Sequence, residues 1–212
     1  MCEGKLEQRA YTVELETREE GENGVIIGQP IVFNSVTDLG YFDEVIESGA
    51  LDGTDLTDVR LCLNHDTSYV YARSRRNNEN STMMLEPIPT GLKIRARLNL
   101  EGSPKAQDLY SAITRGDMDK MSFMFSVEDE EWDNLESDHP TRRIKKIGTV
   151  VEVSAVTFPA YEATDIYARS KDALDSARSA VETVRQQKAA ELESTAHEIE
   201  VLKLKTKMLG GN

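Results

Sequence analysis

Residues 115–127 read RGDMDKMSFMFSV, and the reading of the whole chain turns on them. A helical segment ends here, with Gly116 as a natural terminator. A turn follows, and a strand begins near Ser122. Ser122 lies between Met121 and Phe123, and alternation puts Met124 and Ser126 on its own face. A serine among large apolar strand residues is commonly packing. It becomes a candidate nucleophile only if the fold brings a base and an orienting group to it. No G-x-S-x-G elbow surrounds it, which argues against an α/β-hydrolase.

Before this stretch, strand signals dominate. YTVELE (11–16) alternates like a half-buried strand, and GENGVIIGQPIVFN (21–34) carries an Asn-Gly turn signal and a β-branched run. Together they predict an antiparallel hairpin. SVTDLGYFDEVIESGAL (35–51) predicts a short amphipathic piece ended by Gly49, and DGTDLTDVR (52–60) a polar connection. VRLCLNHD (59–66) reads as a strand, and residues 82–100 as two strands around Pro-Thr-Gly. Residues 103–116 form a helix, with Ser103 as cap and Pro104 in the first turn. MSFMFSVEDEEW (121–132) and RRIKKIGTVVEVSAVTFP (142–159) are the last strands, separated by a polar excursion. The expected fold class is α+β: a mostly antiparallel, closed β-barrel with flanking helices.

Two further polar residues sit awkwardly in this pattern. Alternation places His65 at the end of a core-facing row with Val59, Leu61 and Leu63. It is either a structural histidine closing the strand end or a base. Glu152 interrupts a run of valines and shares a face, by alternation, with Val150, Ser154 and Val156. A carboxylate there needs a cationic or histidine partner, or its pKa rises. If that partner is His65, a base and its orienter exist; the other reading is an outward-facing glutamate.

From residue 165 the composition changes. Residues 165–209 contain no Gly or Pro, and apolar positions recur at Leu174, Ala177, Val181, Val184, Leu192, Ala196, Ile199, Leu202 and Leu209. This predicts a long amphipathic C-terminal α-helix whose heptad register slips near Lys188. The expected division is a β-barrel domain over 1–164 and a helical arm over 165–212. A narrow stripe favours an arm that pairs with other helices over one folded back on the β domain. Net charge is −13 over 212 residues and no basic stripe occurs, so a nucleic-acid partner is not expected. No apolar run reaches membrane-spanning length. Cys2 and Cys62 do not suggest a disulfide framework, which points to a reducing compartment. Three histidines without clustered ligands predict no metal centre, and no phosphate loop or dinucleotide fingerprint implies a cofactor.

GQPIVFN (28–34), DLGYFDEVIESGAL (38–51), LNHD (63–66), RGDMDKMSFMF (115–125) and VEVSAVTFPAY (151–161) occur in that order. This ordered set resembles the prohead (procapsid maturation) serine proteases of tailed bacteriophages, a family related to the herpesvirus assembly protease, assemblin. The resemblance spans roughly residues 10–165, with Met124 where a small residue is expected. It implies Ser122 as nucleophile, His65 as general base and Glu152 as the acidic third member. It also implies capsid or scaffold precursor protein as substrate, self-cleavage, and work inside the procapsid in the host cytoplasm. The C-terminal helix is then a scaffold-like arm for self-association or scaffold binding. An oxyanion loop shaped by Arg142 and Arg143 is a further expectation. The alternative is a catalytically inactive scaffolding protein of the procapsid.

Overall fold

A computed structural model describes residues 6–12, 15–20, 23–157 and 171–209. Eleven strands and two helices follow in chain order: β1 (Leu6–Thr12), β2 (Glu16–Glu20), β3 (Asn23–Val32), β4 (Val36–Asp38), β5 (Asp43–Ile46), β6 (Asp58–Leu63), β7 (Ala72–Arg75), β8 (Met83–Ile88), β9 (Gly91–Leu98), α1 (Pro104–Thr114), β10 (Lys120–Asp133), β11 (Thr141–Val156) and α2 (Lys171–Leu209).

The strands form two sheets rather than a closed barrel. One has seven strands along the path β1-β10-β11-β5-β4, with β6 paired to β11 and β7 paired to β6; the other has four, in the order β2-β3-β9-β8. The expected closed, mostly antiparallel barrel is therefore incorrect, although the α+β class holds. The seven-stranded sheet is mixed, because β11 pairs in parallel with both β5 and β6. Parallel neighbours are joined through long stretches of chain, so no local turn signal announces them.

Local chemistry accounts for most elements. The β8–β9 hairpin turns at Gly91, whose φ is +146°. A Cβ at Gly91 would lie 1.8 Å from the Ile31 carbonyl oxygen, so only glycine fits against β3. Ser103 caps α1 by accepting the Ala106 N–H at 3.1 Å, and Pro104 occupies its first turn. The expected amphipathic piece at 35–51 is instead the β4–β5 hairpin. The Asp38 carboxylate accepts the Gly40 N–H at 2.6 Å, and Gly40 takes φ +90°, so the polar turn is built locally.

A single apolar cluster joins the inner faces of both sheets to α1. It includes Ile26 and Ile31, Leu92 and Ile94, Phe123 and Phe125, Val150 and Val153, and Leu109. The Phe123 and Phe125 rings stack with centroids 4.6 Å apart.

α2 packs on the domain at Val181 and Arg185. Val181 is buried with Leu39 and Phe42 beside half-buried Trp132, and Arg185 donates to the carbonyls of Leu135 and Ser137 at 2.9 and 2.6 Å. Beyond that anchor, Leu192, Ile199, Leu202 and Leu204 are exposed. No helix among the described residues is long and apolar enough to cross a membrane.

β1 is held by charge as well as by its ladder. Buried Arg9 and Arg142 bracket buried Glu44, and Arg142 also bonds Glu7 of β1 and Glu130 of β10. Burial alone would raise the Glu7 carboxyl. The hydrogen bond from Arg142 and the charges of Arg9 and Arg142 outweigh it and bring the pKa from 4.5 down to about 2. A depressed carboxylate pKa stabilises the fold fully above 4.5, and the contribution fades as pH falls toward about 2. Glu7→Gln should therefore cost on the order of 3 kcal/mol at pH 7, and the gap to wild type should close near pH 2. Urea midpoints at the two pH values test this; an equal gap at both would separate the effect from the ion cluster.

Candidate active site

The three residues singled out in the sequence lie on strands or turns that converge at one end of the seven-stranded sheet. Ser122 of β10 stands opposite Ser154 of β11, and Ser154 stands opposite Cys62 of β6. Directly opposed residues share a face. Ser122, Ser154 and Cys62 therefore form a row across three strands, on the face away from the apolar cluster. Glu152 is on the same face, opposite Met124 and Arg60.

Glu152 reaches this face through an irregularity in the ladder. The register shifts between Met124 and Phe125, which oppose Glu152 and Val150. Val151 is thus an extra residue in β11. Val150 and Val153 both join the inner cluster, three positions apart, while Glu152 turns to the opposite face with Ser154. Strict alternation grouped Glu152 with Val150; the bulge separates them.

His65 departs from alternation too. β6 ends at Leu63, and Asn64 and His65 take φ of +50° and +61°. Two consecutive left-handed residues turn the chain. His65 leaves the row of Leu61 and Leu63 and swings to the opposite face. There its Nδ1 meets Glu152 Oε1 in a short contact. The second Glu152 oxygen accepts the Ser154 hydroxyl at 2.6 Å, and Ser154 Oγ accepts the His65 main-chain N–H at 3.1 Å. The carboxylate is 2 % exposed and both its oxygens are bonded, which makes its burial tolerable.

Ser122 is 1 % exposed. Among the described residues, its hydroxyl donates to the Arg9 carbonyl of β1 at 2.8 Å and makes no bond to the imidazole. The structure thus brings His65 and Glu152 into contact and lines Ser122 up beside Ser154 on their face. Cys62 is also on this face. Burial first, and then the nearby Glu152 charge, push its thiol up to about 11, so it stays protonated. Ser154 was not singled out in the sequence beyond its shared face with Glu152. Its signal, a second small polar residue two positions on, was present but indistinguishable from a packed strand serine.

Leu63 and Asp66, on either side of Asn64 and His65, line an open cleft of about 390 Å³ together with Tyr71, Leu109 of α1 and Met118. Arg142 and Arg143 are not in the site. They lie at the opposite end of β11, where Arg142 serves the β1 cluster and Arg143 pairs with Asp133 and Glu47. Asp38, Asp43 and His139 form the one group among the described residues with metal-ligand spacing, and they too lie at that far end. His139 Nε2 is 3.1 Å from Asp43 Oδ1, so this group is internally paired.

The chain matches the family model of the caudovirus prohead serine protease over residues 11–178. It belongs to that family. The matched region contains the sheet face that holds Ser122, His65 and Glu152. Among solved structures, the bacteriophage T4 capsid assembly protease gp21 is similar at 14 % identity, with a TM-score of 0.44, over 74 % of this chain and 99 % of that one. No curated protein sequence matches the chain.

Removing the imidazole should expose the coupling at this site. His65→Ala leaves the buried Glu152 carboxylate with Ser154 as its remaining partner, and stability should fall by about 1–3 kcal/mol. Adding Glu152→Gln should return part of that loss. A double-mutant cycle from urea melts measures the coupling, and strictly additive losses would mean that the pair contributes none.

Proposed function

We propose that this prohead protease is a serine endopeptidase acting through Ser122, His65 and Glu152, on capsid or scaffold precursor protein and on itself. The observation that supports it most is the contact between His65 Nδ1 and the buried Glu152 carboxylate. A histidine whose Nδ1–H is held by a carboxylate presents a basic Nε2. Ser122 Oγ attacks the scissile carbonyl carbon. His65 takes its proton and later gives it to the leaving amine. Glu152 keeps the tautomer and stabilises the imidazolium. Water then hydrolyses the acyl-enzyme by the same proton path in reverse. The reaction requires the Ser122 hydroxyl to leave the Arg9 carbonyl and turn toward the imidazole.

The helical arm has a separate role in this proposal. Its first described apolar contact, Val181, seats it on the domain, and its exposed Leu192, Ile199 and Leu202 are available to a second copy or to helical scaffold. Such pairing concentrates the enzyme with its substrate inside the procapsid, in the host cytoplasm. The division into a domain over 1–164 and an arm over 165–212 is part of the same proposal. A self-cleavage joint near residues 164–170 belongs to the same proposal, and those residues lie outside the described ones.

The competing reading, an inert scaffolding protein, draws on Ser122 being buried and bonded to β1. Purified wild-type protein should shorten itself on storage, followed by intact-mass spectrometry. Ser122→Ala and His65→Ala should stay intact. Glu152→Gln should retain more activity than either, because nucleophile and base remain. Self-cleavage by folded Ser122→Ala would end the assignment. Replacing Leu192, Ile199 and Leu202 together by Glu should leave cleavage intact and sharply reduce incorporation into assembled heads; unchanged incorporation would refute the arm's role.

A further inference from the structure

Ser154 is a fully buried serine in the middle of the site face, and the triad chemistry does not use it. Its single hydroxyl does two things at once. It donates to Glu152 Oε2 at 2.6 Å and accepts the main-chain N–H of His65 at 3.1 Å. The first bond fixes the carboxylate rotamer and leaves Oε1 for the imidazole. The second bond holds the residue that carries the imidazole, in a left-handed turn that a non-glycine residue occupies only when its surroundings enforce it. The same residue faces Ser122 directly across the β10–β11 ladder.

We propose that Ser154 is a positioning residue of the active site, one that sets both the orientation of Glu152 and the placement of His65 relative to Ser122. The proposal rests on the triad reading given above. Its physical content is an orientation. Without the Ser154 hydroxyl, Glu152 Oε2 and the His65 main-chain N–H both lose this partner, and a hydroxyl returned to the same position restores both, which a side chain that only fills space does not.

The test uses the full-length chain and a small serine-directed probe, diisopropyl fluorophosphate, so no natural substrate is needed. The phosphoryl group of the probe is transferred to the serine oxygen, fluoride leaves, and the serine proton goes to the base. Adduct formation is followed by intact mass and located by peptide mapping, at pH 5 to 9. Wild type should label at Ser122, and His65→Ala and Ser122→Ala should not. Ser154→Ala should label roughly ten- to a hundred-fold more slowly, the scale of one charge-assisted hydrogen bond. Ser154→Thr, which keeps the hydroxyl, should restore the rate. If Ser154→Ala does not fold by thermal melting, Ser154→Cys takes its place, with a nearly isosteric side chain and a much weaker donor. A folded Ser154→Ala with the wild-type rate would overturn the proposal while leaving the triad standing. So would a folded Ser154→Thr as slow as Ser154→Ala. Absence of labelling in wild type, or labelling that survives Ser122→Ala at another residue, would remove the triad reading itself and this proposal with it.

Discussion

β11 must satisfy two hydrogen-bonding edges along sixteen residues, and that requirement organises the molecule. β10 answers one edge over nearly its whole length, as an antiparallel partner. The other edge is shared. β5 covers the first part of β11 and β6 the last, both in parallel. An unpaired backbone group inside a sheet is costly, so neither short strand is optional. The two ends of β11 thereby acquire different chemistry. The first gathers the Arg142 ion cluster and the seat of α2. The last places β6, and the turn after it, next to Glu152.

The candidate site depends on two departures from regular strand geometry. The bulge at Val151 lets the inner face keep Val150 and Val153 while Glu152 takes the opposite face, buried against His65 and Ser154. The left-handed pair Asn64 and His65 swings the imidazole off its row to meet that carboxylate. Each departure costs some ladder regularity, and each is offset by the bonds it enables. Ser154 ties the two together, since one hydroxyl touches both the Glu152 carboxylate and the His65 backbone. In this reading the site is a property of three strands and one turn, and no single segment contains it.

β1 stands in a special relation to the site. It is the neighbour of β10, its Arg9 carbonyl takes the Ser122 hydroxyl, and its Glu7 and Arg9 side chains enter the ion cluster. Both anchors bind the same seven-residue strand. The state of Ser122 is therefore coupled to how firmly this strand is docked, and the docking is electrostatic as well as main-chain.

The sequence by itself determined the elements whose causes are local. The Ser103 cap and Pro104 start α1, Gly116 ends it, and the β-branched runs mark β3 and β11 within a few residues. It also singled out Glu152, because a carboxylate in a valine run is costly to bury and requires a partner; Ser122 and His65 stayed open on the residues alone, and the family resemblance implied their roles. It could not decide which strands neighbour β11, since parallel pairing across a hundred residues leaves no turn signature; hence the expected closed barrel became two sheets. Nor could it place Arg142, which the pairing of β11 carries to the far end from Ser122. The facing of Glu152 and His65 was likewise beyond it. Alternation holds only while a strand stays regular, and a bulge or a positive φ arises from the balance of packing on both faces, which exists only once the sheets have met.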